Sequence, residues 1–199
     1  MTKNKMLYLI FDTETTGLPK DWNKPLSDSD NWPRLVQLSW ILSDGTNEQE
    51  FDFIIKPKGF TISEEVSKIH GITQEIAEKE GKDLEFVLNL FRGCLHIANK
   101  VIAHNVDFDK SIVGAEFFRL FKDDRFEKKL KEKEVFCTMK KSVDICNIAG
   151  THAGQNKYPR LIELYKYLFN EEFSGAHNSL MDTRACARCY FELKKNIKK

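Results

Sequence analysis

The sequence predicts an α/β protein in which a mixed sheet is covered by helices, and three observations predict it. The run Met6 to Phe11 is continuously apolar, the pattern of a central strand buried on both faces. Two further strand-forming segments, 34–42 and 48–55, follow it with a turn signal between them. Beyond them, helical periodicities alternate with the short apolar runs 101–103 and 135–139.

Each element has its own justification. The first strand ends in Phe11-Asp12-Thr13-Glu14-Thr15-Thr16-Gly17. A stretch rich in Pro, Asp, Asn and Ser then runs from Leu18 to Pro33, long enough for a connection to be a candidate functional loop. Its Trp22 and Trp32 suit either stacking on bases or, more commonly, anchoring the loop to the core. In 48–55, Phe51, Phe53 and Ile55 share a face, and Ser43-Asp44-Gly45-Thr46-Asn47 before it is a hairpin turn, so the first three strands form an antiparallel meander. Ser63 to Ile69 predicts a short helix. Leu84, Val87, Leu88, Phe91 and Leu95 lie along one stripe of a longer helix. Asn105 is placed to cap a helix through Ile112 to Phe121, and the sign-balanced stretch Lys122 to Glu134 reads as a solvated helix or loop. Pro159 suits the first turn of a helix bearing Leu161, Leu164, Tyr165 and Leu168. Ser179 or Asn178 caps the last helix, which carries Asp182, Ala185, Cys189 and Leu193.

Length and composition bound the reading. A chain of 199 residues fits one domain, 1–199, with room for a substantial core. With 41% hydrophobic and 31% charged residues it is neither disordered nor membrane-spanning. The net charge of +1 does not advertise nucleic acid, yet an acidic metal cluster would mask a local basic rim. Five scattered cysteines argue against a disulfide framework and for a reducing, cytoplasmic compartment. Cys186 and Cys189 form a CxxC inside an apparent helix, where core packing is the simpler role.

The chemistry starts at Asp12 and Glu14. Two positions apart on a strand, they share a face, repel one another, and offer the hard oxygen ligands that Mg2+ or Mn2+ prefers. Two later segments supply further carboxylates: His104-Asn105-Val106-Asp107-Phe108-Asp109 directly after a strand, and His177-Asn178-Ser179-Leu180-Met181-Asp182 leading into the last helix. Asp107 and Asp109 point to nearly opposite sides of a helix, so only one can join the pair.

Taken together, FDxETTG through Gly17, HNxxFD over His104 to Asp109, and HxxxxD over His177 to Asp182 resemble the DEDD superfamily of 3′ to 5′ exonucleases, histidine branch, to which the epsilon proofreading subunit of bacterial replicative polymerase and ribonuclease T belong. The resemblance spans nearly the whole chain and implies a ribonuclease H-like fold, a five-stranded mixed sheet with helices on both faces. It selects Asp109 over Asp107. It implies that two divalent ions, Mg2+ or Mn2+, are held by Asp12, Glu14, Asp109 and Asp182, with Asp12 bridging, Glu14 and Asp182 on the nucleophile side and Asp109 on the second ion. His177, with an ordinary pKa of about 6.5, is then the general base. His104 and Asn105 support the site. Thr15, Thr16 and Leu18 flank the terminal sugar and base, with backbone amides facing the 3′ end. His70, in His70-Gly71-Ile72-Thr73, either borders the terminal nucleotide or simply ends a helix.

The expected activity is hydrolysis at the 3′ end of DNA. RNA trimming is the nearest alternative, because no residue can be assigned to reading a 2′-hydroxyl. A non-catalytic nucleic-acid-binding or polymerase-associated subunit is a third reading, opposed by the presence of all five side chains. A polymerase partner finds no support in an extended tail, since the chain ends at Lys199 soon after the last helix.

Overall fold

The computed structural model describes residues 5–152, 154–173 and 178–197. Five strands, β1 (Tyr8–Thr15), β2 (Leu35–Ser43), β3 (Glu48–Ile54), β4 (Lys100–Ala103) and β5 (Glu134–Cys137), form one sheet in the order β3-β2-β1-β4-β5. β2 is antiparallel to both β1 and β3, and β4 is parallel to both β1 and β5. The meander and the mixed sheet are therefore as expected.

Alternation along β1 divides the core in two. Leu9 and Phe11 pack with Leu38 and Trp40 of β2 against α3 (Leu84–Ile97), α4 (Val106–Phe121) and α5 (Arg125–Lys131). Tyr8 and Ile10 pack with Ile41, Ile102 and Phe136 against α7 (Val143–Cys146), α8 (Leu161–Phe169) and α9 (Ser179–Ile197). Cys186 and Cys189 are buried core residues of α9, and all five cysteines are unpaired. The remaining helices are α1 (Glu64–His70), α2 (Gln74–Glu80) and α6 (Thr138–Lys141). No described helix is long and apolar enough to cross a membrane.

β1 runs to Thr15 because β2 pairs with it that far, so Asp12 and Glu14 are strand residues as expected. Several other local expectations are corrected. Asn105 does not cap α4 with its side chain; it turns the chain in the left-handed region at φ 69°, which Asn tolerates better than most residues. The stretch 122–134 is not simply solvated, for α5 buries Phe126 and Leu130, with Phe126 on Phe91 of α3 and Phe117 of α4. The last strand stops at Cys137 and the chain turns helical at Thr138. Pro159 lies one residue before the Arg160 cap of α8, outside its first turn. Helix α2, which sequence periodicity did not suggest, is capped by Thr73, whose hydroxyl accepts from Ile76 N at 3.2 Å, and buries Ala77.

The long connection between β1 and β2 is tied to α4. Glu116, fully buried, accepts through Oε1 from Arg34 Nε at 2.8 Å, Leu35 N at 3.0 Å and Arg119 at 3.0 Å. Arg119 in turn donates to the carbonyls of Ser29 and Trp32. Gly114 lets Leu26 of the loop lie on the helix, since a Cβ there would stand 2.4 Å from Leu26 Cδ1. Trp32 is the anchor that composition suggested, buried with its indole N–H on Pro25 O at 3.1 Å. Trp22 is not an anchor of that kind: it is 53% exposed and touches Phe108.

Candidate active site

The even-numbered row of β1 that supplies Tyr8 and Ile10 to the α9 side continues as Asp12 and Glu14, and α9 meets it with Asp182 in its first turn. One carboxylate oxygen from each of Asp12, Glu14 and Asp182 lies within 4.8 Å of the others. The odd row continues as Thr13, which faces α4. There Asp109, 2% exposed, accepts through Oδ1 from Thr13 N at 3.1 Å and from the Thr13 hydroxyl at 2.8 Å. Asp107 points the other way and pairs with Lys110 and Lys140.

The four carboxylates line one cleft together with Leu18, Trp22, Asn105 and Phe108. Its electrostatics are those of acids crowded in a poorly solvated place. Burial first, then the charges of Asp109, Asp182 and Glu14, raise the Asp12 pKa well above the carboxylate range, against a lowering by the Ser179 hydroxyl. Burial, then Asp182 and Asp109, push Glu14 up to about 8. Burial pushes Asp109 up to about 7, against its bonds to Thr13. Such a set of hard, mutually repelling oxygens fits divalent cations of the Mg2+ or Mn2+ type, whose charge would relieve the repulsion.

The supporting residues are equally local. Asn178 caps α9, accepting from Met181 N at 3.2 Å, while the Ser179 hydroxyl donates to Asp12 O at 2.7 Å and pins the helix start to β1. His104, on the cleft wall, has Nε2 3.0 Å from Pro159 O and Nδ1 2.9 Å from the Thr138 hydroxyl. A carbonyl only accepts, so Nε2 carries the proton and Nδ1 accepts from Thr138. Burial holds the ring neutral, with its pKa down at about 4.

Other expected site residues fall less directly on the cleft. The Thr15 hydroxyl donates to Gly17 O at 2.7 Å and closes the turn after β1. Thr16 commits both its amide and its hydroxyl to Arg34, each at 2.9 Å, so its amide does not face the cleft as expected. Leu18, 74% exposed, is the member of that segment on the cleft rim. His70 is buried at the end of α1, accepting from Ile72 N at 3.1 Å ahead of Gly71, whose φ of 76° ends the helix. It does not line the carboxylate cleft. His177 lies outside the described residues. Thr13 and Glu116 were not singled out from sequence. Thr13 had a signal, since the residue between two same-face carboxylates must point to the opposite face.

Comparison with known proteins agrees with this geometry. Solved structures of E. coli exonuclease I share the fold: a zinc-bound complex with single-stranded DNA superposes with a TM-score of 0.73 at 19% identity over 97% of this chain and 41% of that one. A complex with a dT13 oligonucleotide gives 0.72 at 19% identity over 96% and 41%. The likeness is the ribonuclease H-like arrangement itself, and this chain spans about two fifths of the length of those proteins. No curated protein matches the sequence. The RNase_T exonuclease family, however, matches residues 9–190. That match runs from within β1 to within α9, across every element that bears one of the four carboxylates, and the chain belongs to this exonuclease family.

Proposed function

We propose that the chain is a metal-dependent 3′ to 5′ exonuclease of the histidine branch, hydrolysing the terminal phosphodiester of DNA by a two-metal mechanism and releasing nucleoside 5′-monophosphates. The observation that carries the reading is the three-carboxylate cluster of Asp12, Glu14 and Asp182, with Asp109 in the same cleft, in a chain of the exonuclease family. Asp12, Glu14 and Asp182 would hold one ion, with Asp12 shared to a second on the Asp109 side. Bound there, two Mg2+ or Mn2+ ions supply counter-charge to the transition state and lower the pKa of water.

The chain's own groups do the rest. Thr13 holds Asp109 by two hydrogen bonds, so that carboxylate is oriented before substrate arrives. His177, five residues before Asp182, accepts the proton of the attacking water at a ring nitrogen. Water oxygen bonds to phosphorus as the bond to the 3′ oxygen breaks; that oxygen leaves with the bonding pair and takes a proton from solvent, becoming the 3′-hydroxyl of the shortened strand. Leu18 and Asn105, on the cleft wall, flank the terminal nucleotide, and His104 holds the wall together from behind. DNA is favoured because exonuclease I, which shares the fold, has been solved with DNA oligonucleotides. A cytoplasmic role in repair, turnover or proofreading fits such an activity.

The test is Mg2+-dependent shortening of a 5′-labelled oligonucleotide. Asp12→Ala should abolish it, and undiminished activity in that variant would sink the reading. His177→Ala should cut turnover while leaving Mg2+ affinity nearly intact; loss of metal binding instead would remove His177 from the role of base.

A further inference from the structure

We infer that the lysine-rimmed hollow beside Trp22 carries the single strand whose 3′ end enters the carboxylate cleft. This rests on the exonuclease reading and names a site that reading leaves out. The hollow, of about 500 Å3, lies between the long loop and helices α4 and α5. Its floor is apolar, with Leu26, Trp32, Phe126 and Leu130, while Lys24, Lys110, Lys131 and Lys133 stand around it against one acid, Glu127.

Two features favour a nucleic-acid strand over any other occupant. The first is continuity: Trp22 walls both this hollow and the carboxylate cleft. Its ring packs on Phe108 at 5.9 Å and 51°, and more than half of its surface stays open. A base leaving the cleft would meet an indole face already held in place, and stacking on an aromatic is tolerant of sequence. The second is surplus positive charge. Lys131 forms no ion pair among the described residues, and Lys133 donates to the carbonyls of His96 and Ala98, which do not neutralise it. Lys24 has Asp28 no nearer than 4.0 Å, and Lys110 shares Asp107 with Lys140. Lysines in excess of acids around an aromatic floor suit phosphates and unpaired bases. A duplex would bury its base faces in its own stack, so the strand is single.

The experiment compares wild type with Lys24→Gln/Lys131→Gln, both exposed positions, on a dinucleotide and on a 12-mer of single-stranded DNA. The ratio of kcat/KM for the 12-mer to that for the dinucleotide should fall at least tenfold. The salt dependence of 12-mer binding should lose about 1.4 from its log–log slope, as expected for two phosphate contacts to a single strand. Equal loss on both lengths, or none, overturns the assignment. An independent measurement uses a phosphorothioate 12-mer carrying 5-iodouracil at the second to fifth positions from its 3′ end: crosslinks should map to Trp22 and the loop around it, and crosslinks confined to other faces overturn the assignment. Wild type inactive on every oligonucleotide would instead count against the exonuclease reading, while the crosslink map would still judge the hollow.

Discussion

Thr13 donates twice to one oxygen of Asp109, from its amide at 3.1 Å and from its hydroxyl at 2.8 Å. The bond joins β1 to α4 at the bottom of the cleft, and it holds a carboxylate that burial would otherwise drive further toward its neutral form. Thr13→Val keeps the shape and removes the hydroxyl. It should lower Mg2+ affinity or turnover about 10- to 100-fold, as loss of a partner behind a metal ligand commonly does. Titration of Mg2+ against activity checks this, and Thr13→Ser should restore most of the loss.

The raised carboxyls tie stability to pH in a defined direction. Glu14 titrates near 8 and Asp109 near 7 in the folded chain, from ordinary values of 4.5 and 3.8, so between about pH 4 and pH 8 the folded state binds more protons than the unfolded one. Stability of the metal-free protein should therefore fall as pH rises through this window. Mg2+ should raise the melting temperature progressively more toward the alkaline side, because it replaces those protons. Melting curves across the window with chelator or with Mg2+ check both halves. Glu14→Gln should melt higher than wild type in chelator at pH 8.

His104 acts in the opposite sense. Its folded pKa of about 4 lies below the ordinary 6.5, so the stability it contributes is complete above about pH 6.5 and is lost as pH falls toward 4. Replacing it by Gln, which can still donate to Pro159 O, should leave a shallower acid limb in the unfolding profile, with a penalty near neutral pH of about 1–3 kcal/mol for the imperfect fit. Chemical denaturation at pH 7 and pH 5 measures both effects.

Glu116 is the clasp of the long loop. Glu116→Ala leaves Arg34 and Arg119 without their buried counter-charge and should cost about 3–5 kcal/mol. Local release should accompany the global loss, because Arg119 also grips Ser29 and Trp32. Limited trypsinolysis at Lys20, much faster in the variant than in wild type at equal folded fraction, is the expected sign.

Much of this was legible in the residues, and particular elements show why. The strands were visible because buried parallel strands leave uninterrupted apolar runs and the meander alternates, as Phe51 and Phe53 do over Trp40. Helical rotation showed that only one of Asp107 and Asp109 could join the pair, and the motif resemblance chose Asp109; the two do part, one to Thr13 and the other to Lys110 and Lys140. What escaped depends on long-range partners. Glu116 looks like any charged helix residue until Arg34, 82 positions away, is brought to it. Helix α2 buries little more than Ala77, too small a stripe for periodicity to reveal. Asn105 had the composition of a cap and the backbone of a turn.

The docking of α9 has a consequence in time as well as in space. This one helix brings Asp182 to Asp12 and Glu14, covers Ile10, Ile41 and Ile102, and is latched to β1 by Ser179. A nascent chain still lacking it would expose a sheet face and hold two unassembled carboxylates. Docking of α9 thus arms the protein as it closes the core, so the surface that must be hidden and the cluster that must be completed for chemistry are settled by a single event of folding.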